Sequence, residues 1–144
     1  MNKWMLLVYK VPSEPSARRV YVWRKLKRLG AILLHDAVWI LPATDHTREQ
    51  FQWLAAEIME MGGEAHVWEA QHLFADPEAT LIRQFEEQID TAYQEILEAI
   101  DQEDADLTAL ARRYQQIKSQ DYFQSPVGEQ VREALLQKQG GDRS

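Results

Sequence analysis

A chain of 144 residues has room for one compact domain with a packed helical extension. An apolar share of 45% excludes wholesale disorder, and the absence of cysteine excludes disulfides and thiolate metal sites and suits a reducing cytosol. The net charge of −7 disfavours nucleic-acid binding if taken whole, but residues 1–42 hold eight Lys/Arg against two acids, and the remainder eight Lys/Arg against 21 acids. Such an asymmetry speaks about partners rather than about fold.

The opening run MNKWMLLVYKVP is too short to span a bilayer and lacks the small-residue pattern of a cleavable signal, so a cytoplasmic protein without membrane attachment is expected. Trp4 to Val11 reads as a strand closed by Pro12, apolar at nearly every position as a central strand is. Ser13-Glu14-Pro15-Ser16 reads as a helix start, with Ser13 or Ser16 as cap and Pro15 in the first turn. That helix runs to about Leu29, where Gly30 ends it in a left-handed conformation. At 100° per residue Val22, Leu26 and Leu29 share one face. Arg24, Lys27 and Arg28 point the opposite way, and Arg18 and Lys25 flank the apolar stripe.

Ala31–Leu34 and Ala37–Leu41 are short strands separated by a His35-Asp36 turn and closed by Pro42. Thr47-Arg48-Glu49-Gln50 matches a capping box, and Phe51, Leu54, Ala55 and Ile58 follow at amphipathic-helix spacing. Gly62-Gly63 stops the helix, and Glu64–Ala70 supplies a fourth strand. The order is β-α-β-β-α-β, so the fold class expected is α+β: a ferredoxin-like domain over residues 1–73, followed by an α-helical extension over 74–144 packed on it. Both helices would cover one sheet face, leaving the other to the tail or to a second subunit.

In the tail, Asp76-Pro77-Glu78 opens a long helix whose stripe is Ile82, Phe85, Ile89, Ala92, Ile96 and Ala99. An acidic break, Asp101 to Asp106, precedes a second helix through Leu107, Leu110, Ala111, Tyr114 and Ile117. Ser125-Pro126 starts a third helix, to about Lys138, with fraying from Gly140 to Ser144.

Catalytic constellations are missing from the sequence. There is no phosphate-binding Gly-rich loop, no histidine pair at i, i+4 and no nucleophile elbow, so no enzyme, no cofactor and no metal site are expected. His35, His46, His66 and His72 are scattered over turns and a strand. The acids between Asp101 and Asp106 lack the central Gly and terminal Glu of a calcium loop and read as a solvated helix break. Trp4, Trp23, Trp39, Trp53 and Trp68 fall on five of the six predicted elements of the first domain; they read as packing residues, with a stacking platform for unpaired bases as the alternative.

The sharper signal is the basic helix. Arg18 and Arg19 lie near a helix start, where the macrodipole disfavours cations by up to about 1 kcal/mol each. Two reasons for keeping them there stand open: contact with phosphate, an oxyanion or an acidic partner surface, or pairing within the fold to tail acids such as Glu86, Glu87 or Glu95. The candidate nucleic-acid or anion-binding residues are Arg18, Arg19, Arg24, Lys25, Lys27 and Arg28.

Four stretches carry a family resemblance: WMLLVYKVPSEPSARRVYVWRKLKRLGA, then HDAVWILP, EAHVWEA, and the late SQDYFQSP before a helix. In this order the chain resembles the N-terminal domain of the ChrB family of bacterial chromate-resistance regulators. The resemblance implies a non-enzymatic protein of transcriptional regulation, with DNA as a partner through the basic helix. The alternatives are a homodimeric protein-interaction module and a sensor of chromate or another oxyanion without direct DNA contact. More distantly, the first domain resembles the C-terminal region of PaaX-type phenylacetate repressors and small ferredoxin-like CRISPR-associated subunits. In the nuclease-like members of the last group an aspartate ends the first strand, where this chain has Tyr9-Lys10-Val11-Pro12; a lysine there would repel a divalent cation.

Overall fold

A computed structural model describes residues 2–141. The elements follow one another as β1 (Lys3–Lys10), α1 (Ser16–Arg28), β2 (Ile32–His35), β3 (Val38–Pro42), α2 (Asp45–Glu60), β4 (Glu64–Gln71), α3 (Ala75–Ile100), α4 (Leu107–Ser119) and α5 (Pro126–Gly141). The chain is α+β and divides into two compact units, residues 1–75 and residues 76–144.

In the first unit the four strands form one antiparallel sheet in the order β2-β3-β1-β4. β1 lies inside the sheet, as its apolar WMLLV run requires, and it pairs with β4 from Lys3↔Gln71 to Lys10↔Glu64. Residues directly opposite in an antiparallel pair share a face. One face therefore carries Met5, Leu7, Tyr9, Trp39, Leu41 and Glu69, and the other Trp4, Leu6, Val8, Ile40, His66 and Trp68. The first is the helix face, since Arg48 of α2 pairs with Glu69. Val22 and Leu26 of α1 and Phe51, Leu54 and Ile58 of α2 are fully buried, as are Leu7 and Leu41.

Local signals fix the ends of these elements, in two places differently from expectation. Neither Ser13 nor Ser16 caps α1: Pro15 holds the cap position in an extended conformation, with no side-chain cap bond. The capping box of α2 sits three residues earlier than the Thr47–Gln50 match. Thr44 is the cap, its hydroxyl accepting from Thr47 N at 3.0 Å, while the Thr47 hydroxyl accepts from Thr44 N at 2.9 Å. Thr47 also donates to the Pro42 carbonyl at 2.6 Å, which ties the start of α2 to the end of β3 and accounts for a fully buried threonine. Gly30 ends α1 at φ 79°, as expected. Gly63 is required for space: a Cβ there would lie 2.4 Å from the Lys10 carbonyl oxygen.

The second unit is helical. The buried stripe of α3 is Leu81, Phe85, Ile89, Tyr93, Ile96 and Ile100, so Leu81, Tyr93 and Ile100 take the places expected for Ile82, Ala92 and Ala99. Tyr93 and Ile100 are larger than Ala92 and Ala99 and remove more apolar surface from water, whereas Leu81 and Ile82 are equal in size and packing alone chooses between them. Ile89, Tyr93, Ile96 and Ile100 form one core with Tyr114 and Ile117 of α4 and Val131 and Leu135 of α5. Asp106 caps α4, accepting from Ala109 N at 3.1 Å, and Ser125 caps α5, accepting from Val127 N at 3.1 Å. α5 runs through Gly141, beyond the Lys138 expected; residues 142–144 lie outside the described residues.

Candidate functional site

The 13 residues of α1 place six cations around one helix, and the structure sends them in three directions. Val22 and Leu26 are buried, which fixes the rotation of the helix. On one flank of that stripe Arg18 and Lys25 turn to α2. Arg18 Nη1 donates to the Met61 carbonyl at 2.7 Å, at the carbonyl-rich end of α2 where a cation complements the macrodipole. Lys25 Nζ lies 3.8 Å from the Glu57 carboxylate and 5.7 Å from the centre of the Tyr21 ring. The Tyr21 hydroxyl donates to the same carboxylate, and this bond raises its pKa above the ordinary phenol value. Arg18, Tyr21, Lys25 and Glu57 thus form a polar seam between α1 and α2.

Arg24, Lys27 and Arg28 point away from the buried stripe and are exposed. Lys27 Nζ lies 5.9 Å from the centre of the Trp23 ring, a cation over an aromatic face. Arg24, Lys25 and Arg28 line a shallow hollow on the outer surface of the helix with Ala17, Val20 and Tyr21. Basic groups also gather at the C-terminal end, with Lys25, Lys27 and Arg28 in the last turn, where the helix dipole favours them.

Arg19 takes the opposite flank from Arg18. It lines a groove of about 770 Å³ between the start of α1, the end of β1 and the β2–β3 turn, together with Tyr9, Lys10, Val11, Ser13, Ser16, Val20, Trp23, Asp36 and Ala37. Burial raises the Tyr9 pKa, opposed by its hydrogen bond with Trp39 and by the charge of Arg19. Asp36 stands in the turn at φ 48° with its carboxylate 3.1 Å from His35 Nε2. Among the described residues Arg19, Arg24 and Lys27 make no ion pair, whereas Lys25 does.

The helical wheel assigns five of the six cations, leaving out Arg19, and wheel position does not reveal that Tyr9, Lys10, Trp23 and Asp36 line a groove with Arg19. These residues come from three stretches of chain, and only the sheet brings them together. The signal that was available is Lys10 itself, a cation that follows the apolar run of β1.

The second unit uses its polar groups differently. Asp121 accepts from the Tyr93 hydroxyl at 3.0 Å and from Ser125 N at 2.9 Å, and the Ser125 hydroxyl donates to Asp90. Gly128 lies against the Tyr93 ring, where a Cβ would approach within 2.9 Å. The SQDYFQSP stretch is thus a clasp that joins α3 to the start of α5. No group of three or more His, Asp or Glu side chains suited to a metal ion occurs among the described residues, and no described helix is long and apolar enough to cross a membrane.

Comparison with known proteins gives one family. The sequence profile described as "Protein ChrB, N-terminal" matches residues 19–108, well over half of the chain. Protein ChrB of Cupriavidus metallidurans is 29% identical over 119 residues, which is 77% of this chain and 36% of that protein. The chain therefore spans about a third of the length of this curated relative. No solved structure gives a significant match.

Proposed function

The chain belongs to the ChrB family, and from that premise we propose that it is a non-enzymatic module of chromate-resistance regulation that contacts nucleic-acid phosphates through the outward face of α1. The observation that carries this reading is the division of the basic helix: Arg18 and Lys25 are engaged by α2, while Arg24, Lys27 and Arg28 are presented together on the exposed side. Groups kept charged and exposed on one face of a helix in an acidic protein are suited to phosphate contact, which positions a duplex without reading its sequence. The strand order β2-β3-β1-β4, with both helices on one face, supports a ferredoxin-like fold for this module.

Three phosphate contacts give a salt slope of about −2.7 in log K against log salt, so duplex affinity should fall roughly fortyfold between about 50 and 200 mM salt. Fluorescence anisotropy with a labelled duplex measures this. Binding that is absent at low salt, or indifferent to salt, removes the reading.

A second reading, self-association, is favoured by β2. This four-residue strand is an edge of the sheet and leaves Leu33 and Leu34 about half exposed. Sedimentation at two concentrations distinguishes it: a monomer at the higher one rejects a homodimer.

A further inference from the structure

We propose that the groove between α1, the end of β1 and the β2–β3 turn is a binding site for a nucleotide unit, a phosphate joined to a flat ring, taken either free or as an unpaired residue of a strand. Its volume of about 770 Å³ lies in the ordinary range of small-ligand sites. The lining has two chemistries side by side. Lys10 and Arg19 supply two cations, and a guanidinium presents parallel N–H groups that match phosphate oxygens. Tyr9, Val20 and Trp23 supply apolar surface, with the Trp23 side chain half exposed and so able to take a stacked ring.

Asp36 decides among anionic ligands. Its carboxylate only accepts hydrogen bonds, so it suits a ligand that also donates, through a ring amino group or a sugar hydroxyl. A fully deprotonated oxyanion has no hydrogen for Asp36 to accept, and a paired duplex keeps its rings inside the stack. A nucleotide has phosphate, ring and donor in one molecule. This site is on the opposite flank of α1 from the seam with α2 and draws its lining cations from Lys10 and Arg19; of the outward cations Lys27 borders it, over the Trp23 ring, whereas Arg24 and Arg28 do not line it.

The test is calorimetric titration of the full chain with nucleoside 5′-monophosphates, with ribose 5-phosphate, and with a short single-stranded oligonucleotide. The expected result is saturable binding of a monophosphate, at least about tenfold weaker binding of ribose 5-phosphate, and about a tenfold loss in Arg19→Ala and in Trp23→Ala. Both side chains are exposed, and circular dichroism verifies that each variant is folded; Arg19→Gln serves if the alanine variant is not. Arg24→Ala should leave monophosphate binding unchanged while weakening duplex binding, which separates this site from the proposed duplex surface. Binding of the oligonucleotide alone, lost in Arg19→Ala, identifies the unpaired residue as the form taken. No binding of either, ribose 5-phosphate binding as well as the monophosphate, or affinity indifferent to both variants overturns the proposal.

Discussion

The two units of this chain differ in where their polar side chains are gathered. In residues 76–144 two carboxylates, two hydroxyls and a backbone amide are consumed in one clasp, Asp121 with Tyr93 and Ser125, and Ser125 with Asp90. In residues 1–75 Arg18 and Lys25 are consumed in the same manner, but Arg19, Arg24 and Lys27 make no ion pair among the described residues. Polar groups that close a fold are matched one to one with partners; groups left over around a groove or along a helix are available for a ligand. Arg112 and Arg113 of the second unit also make no ion pair among the described residues, so it is the gathering of such cations on one helix, beside a groove, that supports the proposal of a functional surface on the first unit.

The comparison can be broken most severely at Asp121. Asp121→Ala leaves the Tyr93 hydroxyl and the Ser125 amide without their acceptor and should cost about 3 kcal/mol. All five tryptophans lie in residues 1–75, so their fluorescence reports the first unit, while urea melts followed by circular dichroism weigh the helices of the second. The loss should show in the dichroism midpoint; an unchanged midpoint means the clasp is not structural. In the first unit the matching site is Gly63, whose replacement by alanine crowds the Lys10 carbonyl and should cost about 2 kcal/mol, read in the tryptophan melt. A stability equal to wild type would show that the approach of Gly63 to the end of β1 relaxes freely.

A smaller effect separates the units by pH. Burial pushes the Tyr122 phenol up to about 12, and burial, then the bond to Asp121, raises Tyr93 further. Both folded values lie above the unfolded value near 10, so the fold favours the protonated form. The stabilisation they give is complete below about pH 10 and is lost as pH rises through the folded values. Alkaline melts of the helical unit should therefore decline above about pH 10, and Tyr93→Phe should flatten the decline. A wild-type curve level to pH 12 contradicts the assignment.

Much of this architecture was legible in the sequence. Val22 and Leu26 at helical spacing set the rotation of α1, and with it the flanking positions of Arg18 and Lys25. Gly30 and Ser125-Pro126 marked boundaries through backbone chemistry that neighbours do not alter. The cap of α2 was less legible because Thr44 and Thr47 are both hydroxyl residues three apart; the pairing is decided by the Pro42 carbonyl, which selects Thr47 for burial. The stripe of α3 slipped because Leu81 and Ile82 are both apolar and adjacent, and only packing against other helices chooses between them. The groove was hidden for a deeper reason: Tyr9, Lys10, Arg19, Trp23 and Asp36 become neighbours through strand pairing and the β2–β3 turn, and no local pattern encodes that.

The central claim is that α1 has an inner cationic flank used by the fold and an outer one left for phosphate. It is tested most directly by comparing the salt dependence of duplex binding in two double variants, Arg24→Ala/Lys27→Ala and Arg18→Ala/Lys25→Ala. The account predicts that the outer pair lowers the salt slope by about 1.8 with stability changed by no more than about 0.5 kcal/mol. The inner pair should keep the wild-type slope while lowering the melting temperature. A slope reduced by the inner pair and untouched by the outer one would contradict it.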